Sequence, residues 1–208
     1  MGDVLGVIVA GGRSRRMGGG DKCLRTLGGR PILEWVVERA RPQSGELILN
    51  ANGDPHRFDD FGLRVVPDMI EGDAGPLAGI LTGLEWAKSN LPGCVWVASF
   101  AADAPFVPMD YIDRLLAAAE EMKAPLACAV SGGRTHPVCG LWRVELADDL
   151  RISIYEKDIR KIDRWTAQYP LASVEFSSDP VDPFFNLNRR EDLEAAELIL
   201  QQRGGDVG

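Results

Sequence analysis

The chain has 208 residues, of which 45% are hydrophobic and 26% charged, with a net charge of -8. That length buries roughly 70% of the unfolded chain's surface in a core, and the balance is that of a soluble globular protein. The acidic total argues against a nucleic-acid or anionic-membrane partner, either of which selects a basic face.

The first apolar run, VLGVIVA (4–10), is continuous rather than alternating. That predicts a strand buried on both faces, as in a parallel sheet. It is too short to span a membrane and lacks the basic leader of a signal peptide. After a stretch rich in glycine and arginine, Pro31 opens a predicted helix over 31–42, with Pro31 as its first helical residue and Ile32, Leu33, Val36 and Val37 on one face. ELILNAN (46–52) and LRVVPD (63–68) read as strands. PLAGILTGLEWAKSN (76–90) reads as a helix and CVWVASF (94–100) as another buried strand. A helix is expected over 109–123. Strands are expected at 125–130 and 137–142, joined by the turn-rich SGGRTH. The stretch 146–168 reads as mostly helical, 171–176 as a strand and 190–203 as a final helix.

Strands alternate with helices almost throughout. This predicts a three-layer α/β fold, with a mainly parallel sheet and helices on both faces. Ligands in such sheets sit beyond the C-terminal ends of the strands. No internal repeat is present. The expected organisation is a single domain over 1–203, with GGDVG (204–208) as a flexible tail. The four cysteines (Cys23, Cys94, Cys128, Cys139) form no CxxC pair and only two histidines exist. A structural zinc site is therefore not expected, and the thiols read as reduced, in a cytoplasmic protein.

The stretch between Gly11 and Arg30 carries six basic residues, Arg13, Arg15, Arg16, Lys22, Arg25 and Arg30, against one acid, Asp21. That is a local charge of +5 directly after the first buried strand. Glycines let backbone N–H groups approach an anion closely, and arginine and lysine supply the countercharge. The combination predicts a polyphosphate cradle; the plainer alternative is a solvated basic loop. Neither common phosphate motif is present. Lys22 is flanked by Asp21 and Cys23, which breaks GxxxxGK[ST], and Gly18-Gly19-Gly20 is followed by Asp, Lys and Cys, which breaks GxGxxG.

VAGGRSRRMGGGDK (9–22) resembles the LAGGxSxRMGxxK signature of nucleotidyltransferases, and among these most resembles the molybdenum cofactor guanylyltransferases. LNAN (49–52), VVPD (65–68), GPLAGILTGL (75–84), ADAPF (102–106), THPVCGLW (135–142) and FNLNRREDL (185–193) follow in that family's order and spacing. The resemblance implies a nucleotide-diphospho-sugar transferase type of Rossmann-like fold. It implies transfer of GMP from GTP to the terminal phosphate of molybdopterin, with release of pyrophosphate. The product would pass to a molybdoenzyme or its chaperone. An anion then attacks an anion, so catalysis becomes positioning plus charge neutralisation.

By the same resemblance, Val9, Ala10, Gly11 and Gly12 contact the nucleotide, Lys22 the phosphates and Arg16 the pyrophosphate. Arg13 and Arg15 read as solvated charge. Asp103, at the end of a strand, would hold magnesium, with manganese an acceptable substitute. Ala102 stands where the family more often has Cys. Asn50 and Asp68 would recognise the nucleotide, and Gly75 and Gly79 would let a helix N-terminus approach it. His136, Asn186 and Asn188 fall to the pterin half. Arg160 and Lys161 would bind the pterin phosphate or, equally, form an exposed helix face.

VAGG in place of LAAG, together with GPLAGI, favours GTP over CTP. A relative using CTP or a sugar phosphate is the alternative enzyme. A non-catalytic binding module is the other alternative; its signal would be loss of Lys22 or Asp103, and both are present. A covalent hydrolase fits poorly, since no GxSxG elbow exists.

Overall fold

The continuous apolar run forms β1 (Val4–Val9), and all six of its residues are buried. The computed structural model describes residues 4–10, 21–70 and 75–205, with side chains as far as 202. The remaining elements, in chain order, are β2 (Thr26–Leu27), β3 (Arg30–Pro31), α1 (Ile32–Ala40), β4 (Glu46–Asn50), β5 (Arg64–Val66), α2 (Pro76–Asn90), β6 (Trp96–Ala101), α3 (Tyr111–Glu121), β7 (Leu126–Ser131), β8 (Arg134–Arg143), α4 (Ala147–Tyr155), α5 (Ile162–Thr166), β9 (Leu171–Phe176) and α6 (Arg190–Gly205).

Seven strands form one sheet in the order β5-β4-β1-β6-β8-β7-β9. The pairs β5/β4, β4/β1, β1/β6 and β7/β9 are parallel, and only β8 runs against its neighbours. A two-residue turn causes that reversal. Gly132 and Gly133 both have positive φ, 53° and 73°, the pairing that a tight hairpin of matching twist requires. The expected mainly parallel sheet is therefore present, with one antiparallel strand.

The two faces of the sheet are covered by different helices. From β1, Leu5, Val7 and Val9 pack with Leu77, Ile80 and Leu84 of α2, in a core that also takes Leu150 of α4 and Trp165 of α5. Val4 and Ile8 point the other way, into the core built with Leu33 and Val36 of α1 and Ile112 and Leu115 of α3. Period-two alternation within an apolar run is what a strand needs when both faces are covered. A third, smaller cluster joins Leu27, Ile32, Phe106, Leu187 and Ala196, tying α6 to the β2–β3 hairpin.

Several boundaries differ from the sequence reading. Pro31 precedes α1 in the N-cap position, with ψ 144°, because its backbone is paired in β3. The helix expected over 146–168 is broken between Tyr155 and Ile162. Asp158 there has φ 50°, which no helix interior accepts. Asp149 of α4 bridges the break, accepting from Trp165 Nε1 at 3.0 Å and from the Tyr169 hydroxyl. The 3-10 helix Pro55–Phe61 and the β2–β3 hairpin were not expected. α6 continues through Gly204 and Gly205, so the expected tail starts as helix; residues 206–208 lie outside the described residues. No described helix is long and apolar enough to cross a membrane.

Candidate functional site

Strand register puts the expected residues in one row. Val9 is aligned with Asn50 on one side and Ala101 on the other, and Asn50 is aligned with Val66. All four lie at the C-terminal edge of the sheet. The chain turns left of β1 to form β4 and β5, then returns to its right as β6, so the strand order reverses beside β1, where ligands of α/β sheets bind. The edge is closed by Ala10 N–H on Asn50 O at 2.9 Å and Ala102 N–H on Val9 O at 3.3 Å.

On the β4 side, Asn50 is fully buried. Its Nδ2 donates to Asp68 Oδ1 at 2.9 Å and to Val66 O at 3.3 Å. Asn52, which the sequence reading did not single out, donates to Asp68 Oδ2 at 2.7 Å and accepts from Asp68 N–H at 2.8 Å. The second asparagine of LNAN was its signal. Asp68 is thus held by two amides with its carboxylate at the edge. Asn50 Oδ1 has no hydrogen-bond partner among the described residues. It rests against the first turn of α2, where a Cβ on Gly79 would lie 2.5 Å from it and 2.7 Å from Val9 Cγ1. The bare Cα of Gly79, expected to let the helix start approach the nucleotide, admits Asn50 and Val9, and Gly79 is itself buried. Gly75 does fit the expected helix start. It caps α2 with φ 61° and ψ -153°, a region open essentially to glycine alone.

On the β6 side, Asp103 follows the strand end and Lys22 sits in the 3-10 turn Lys22–Leu24. Lys22 Nζ donates to Asp103 Oδ2 and, at 2.7 Å, to Asn188 Oδ1. Residues 81 and 166 positions away in sequence therefore converge on one ammonium. Leu187 N–H donates to Asp103 O at 3.0 Å, fixing the 186–188 segment beside the aspartate. Asn188, expected in the pterin half, has its side chain at the Lys22–Asp103 pair. Two hard oxygen donors already surround a cation there, which suits a metal bound mainly through a substrate's phosphates. No group of three or more His, Cys, Asp or Glu able to cage a metal exists among the described residues.

The basic stretch is divided by the structure. Asp21 is paired with Arg57 of the 55–61 turn, whose Nη1 also donates to Asp54 O at 2.9 Å. Arg30 turns away from the edge, forming a bidentate pair with Glu38 and lying over the Trp35 ring at 3.5 Å. Its partners lie on α1, not at the strand edge. Gly11, Gly12, Arg13, Arg15 and Arg16 lie outside the described residues. Burial, then the Asp21 charge, pushes the Cys23 thiol up to about 12, so the thiol next to Lys22 carries no thiolate for covalent chemistry.

On the β7–β8 side, His136 is buried, with Nε2 2.7 Å from Ser131 Oγ and its ring 4.9 Å from that of Phe184. Burial lowers its pKa, so the ring is neutral at pH 7. Asn186 is half-buried and its carbonyl accepts from Asn188 N–H at 3.0 Å. Arg160 and Lys161 are exposed, Arg160 pairing with Asp158 at 2.8 Å within its own loop.

The family model of the MobA-like NTP transferase domain matches residues 6–172. The molybdenum cofactor guanylyltransferase of Nitrobacter hamburgensis is 55% identical over 200 residues, covering 96% of each chain. Among solved structures, molybdopterin-guanine dinucleotide biosynthesis protein A from Archaeoglobus fulgidus superposes with a TM-score of 0.73 at 22% identity, over 95% of this chain and 99% of that one. A Mycobacterium tuberculosis protein crystallised with manganese superposes with a TM-score of 0.69 at 16% identity, over 94% of this chain and 98% of that one.

Proposed function

This chain belongs to the family of MobA-like NTP transferases, a nucleotidyltransferase family, and we propose that it transfers GMP from GTP to the terminal phosphate of molybdopterin, releasing pyrophosphate. The observation that carries the reading is the convergence of Lys22, Asp103 and Asn188 at the strand edge, next to the amide-held Asp68.

The nucleotide lies across the C-terminal ends of β1 and β4. Ala10 contacts its base, a role the family resemblance extends to Gly11 and Gly12, and Asp68 reads its base or ribose. Asn50 acts through Asp68, since it is itself buried beneath the edge. The N-terminus of α2 presents positive charge to the same space. The triphosphate runs toward Lys22, whose ammonium leaves Asp103 to bind phosphate oxygens. Arg16 neutralises the departing pyrophosphate. Magnesium, or manganese in its place, would be held by Asp103 with Asn188 Oδ1 beside it, and supplies neutralisation of phosphate charge. The acceptor phosphate approaches from the β7–β8 side, with Asn186 nearby and Arg160 as an outer charge. No protein nucleophile is required: the acceptor oxygen attacks the α-phosphorus and the pyrophosphate leaves opposite to it. The product goes on to a molybdoenzyme or its chaperone, and a cytoplasmic location suits that hand-over.

Calorimetry with GTP, CTP, ATP and UTP in the presence of magnesium tests the nucleotide half. A clear preference for GTP, abolished in Asp103→Ala, is expected. Preference for CTP moves the product to the cytosine dinucleotide, and no binding to any of the four refutes the reading.

A further inference from the structure

Asn188 and Leu187 meet Lys22 and Asp103 at one end of a short segment whose other end is anchored at a buried polar chain. Asp182 begins that segment. Its Oδ1 accepts from Ser131 Oγ–H at 2.7 Å and from Phe184 N–H at 2.9 Å. Ser131, at the last position of β7, is 1% exposed, and its Oγ also lies 2.7 Å from His136 Nε2. A hydroxyl has one hydrogen, and an ionised carboxylate can only accept. Ser131 must therefore donate to Asp182, and His136 must donate to Ser131 through Nε2–H. The hydrogen count fixes the tautomer. The chain reads His136 Nε2–H to Ser131 Oγ–H to Asp182 Oδ1.

Apolar packing reinforces the polar anchor. Phe184 is 1% exposed and sits among His136, Tyr111 and Phe176, at 4.9, 5.9 and 5.2 Å between ring centroids. Leu187 is 1% exposed in the cluster with Leu27 and Ile32. At the far end, Asp192 Oδ2 accepts from Asn188 and Arg189 N–H at 2.8 and 2.7 Å. Residues 182–189 are thus a strap held at both ends, and it delivers Leu187 N–H to Asp103 and Asn188 Oδ1 to Lys22.

We propose that Ser131, His136 and Asp182 are positioning residues that latch this strap to the sheet, and that they set the geometry of the Lys22–Asp103–Asn188 group. His136 on this account acts through the strap and touches no ligand. Its ring face is covered by Phe184 and its Nε2 is committed to Ser131. The catalytic consequence rests on the transferase reading above; the latch itself does not. Displacement of a charged group by about 1 Å is enough to cost on the order of 10²-fold in rate.

The test compares Ser131→Ala, Asp182→Ala and Asp182→Asn by hydrogen exchange of the 184–189 amides and by GMP transfer from GTP to molybdopterin. Ser131→Ala and Asp182→Ala break the chain. Exchange over 184–189 should accelerate about tenfold or more, with kcat falling and the KM for GTP little changed. Asp182→Asn keeps an oxygen at the accepting position, so it should retain protection and most of the turnover. Unchanged exchange in both alanine variants overturns the latch, whatever the activity. Faster exchange with unchanged kcat overturns the positioning role. Absence of GMP transfer in the parent protein sinks the transferase reading instead, while the exchange data still decide the latch.

Discussion

Gly79→Ala asks whether the nucleotide side is built by close packing of α2 on β1 and β4. The added methyl would stand 2.5 Å from Asn50 Oδ1 and 2.7 Å from Val9 Cγ1, where ordinary contact begins at 3.4 Å. Something must retreat by roughly 1 Å, and neither neighbour has room. Val9 is aligned with both neighbouring strands, and Asn50 is fully buried with its amide nitrogen tied to Asp68. Overpacking of this kind costs about 1–3 kcal/mol, which in a chain of this size lowers Tm by about 2–4 °C per kcal/mol. The displaced partner is the group that holds Asp68, so the KM for nucleotide should rise more than kcat falls. Thermal unfolding and steady-state kinetics on the purified variant measure both. An unshifted Tm with unchanged KM would refute the claim that Gly79 exists to admit Asn50 and Val9.

Other outcomes follow from the same contacts. Asp103→Ala should leave no measurable turnover with the fold retained by circular dichroism; retained activity would remove Asp103 from the metal role. Lys22→Ala should weaken nucleotide binding and lower kcat/KM by roughly 10²–10³-fold, and an unchanged affinity would take Lys22 off the phosphates. The thiols of Cys23, Cys128 and Cys139 are buried, and burial pushes each up to about 12. Ellman's reagent at pH 8 should therefore modify half-buried Cys94 first in the native protein and all four thiols only after denaturation; rapid native reaction of Cys23 would contradict that. Because burial lowers the His136 pKa, the unfolded chain, with an ordinary value of about 6.5, takes up the proton first as pH falls. The histidine's contribution is thus present above about pH 6.5 and lost below it. Parent stability relative to His136→Gln should shrink between pH 7.5 and 5, and a growing difference would reverse the sign of the argument.

What the sequence showed and what it hid have physical causes. β1 was legible because a strand covered on both faces must be apolar at every position, and SGGRTH announced the β7–β8 reversal through its glycines. The break in the 146–168 helix was hidden: Asp158 turns at φ 50° inside a stretch without glycine or proline, and Ile159 N–H closes back on Ser153 O at 3.0 Å. Lys22, Asp103, Asn50 and Asp68 were picked out by a family's motif order, and the fold pairs Lys22 with Asp103 and Asn50 with Asp68. Arg57, Ser131 and Asp182 were not, because each pairs with a residue far along the chain: Arg57 and Asp21 are 36 positions apart, and Ser131 and Asp182 51. Arg30 shows the opposite failure. Counting charge gave its sign, but only the fold shows that it faces Glu38 and Trp35.

The most direct measurement of the central claim is a turnover assay on the purified protein with molybdopterin, magnesium and an equimolar mixture of α-labelled GTP and CTP, with the dinucleotide product resolved by chromatography and pyrophosphate followed in parallel. Guanylyl transfer predicts label from GTP in the pterin product, one pyrophosphate per dinucleotide, and neither in Asp103→Ala. Equal or greater incorporation from CTP, or pyrophosphate release without a pterin product, would contradict it.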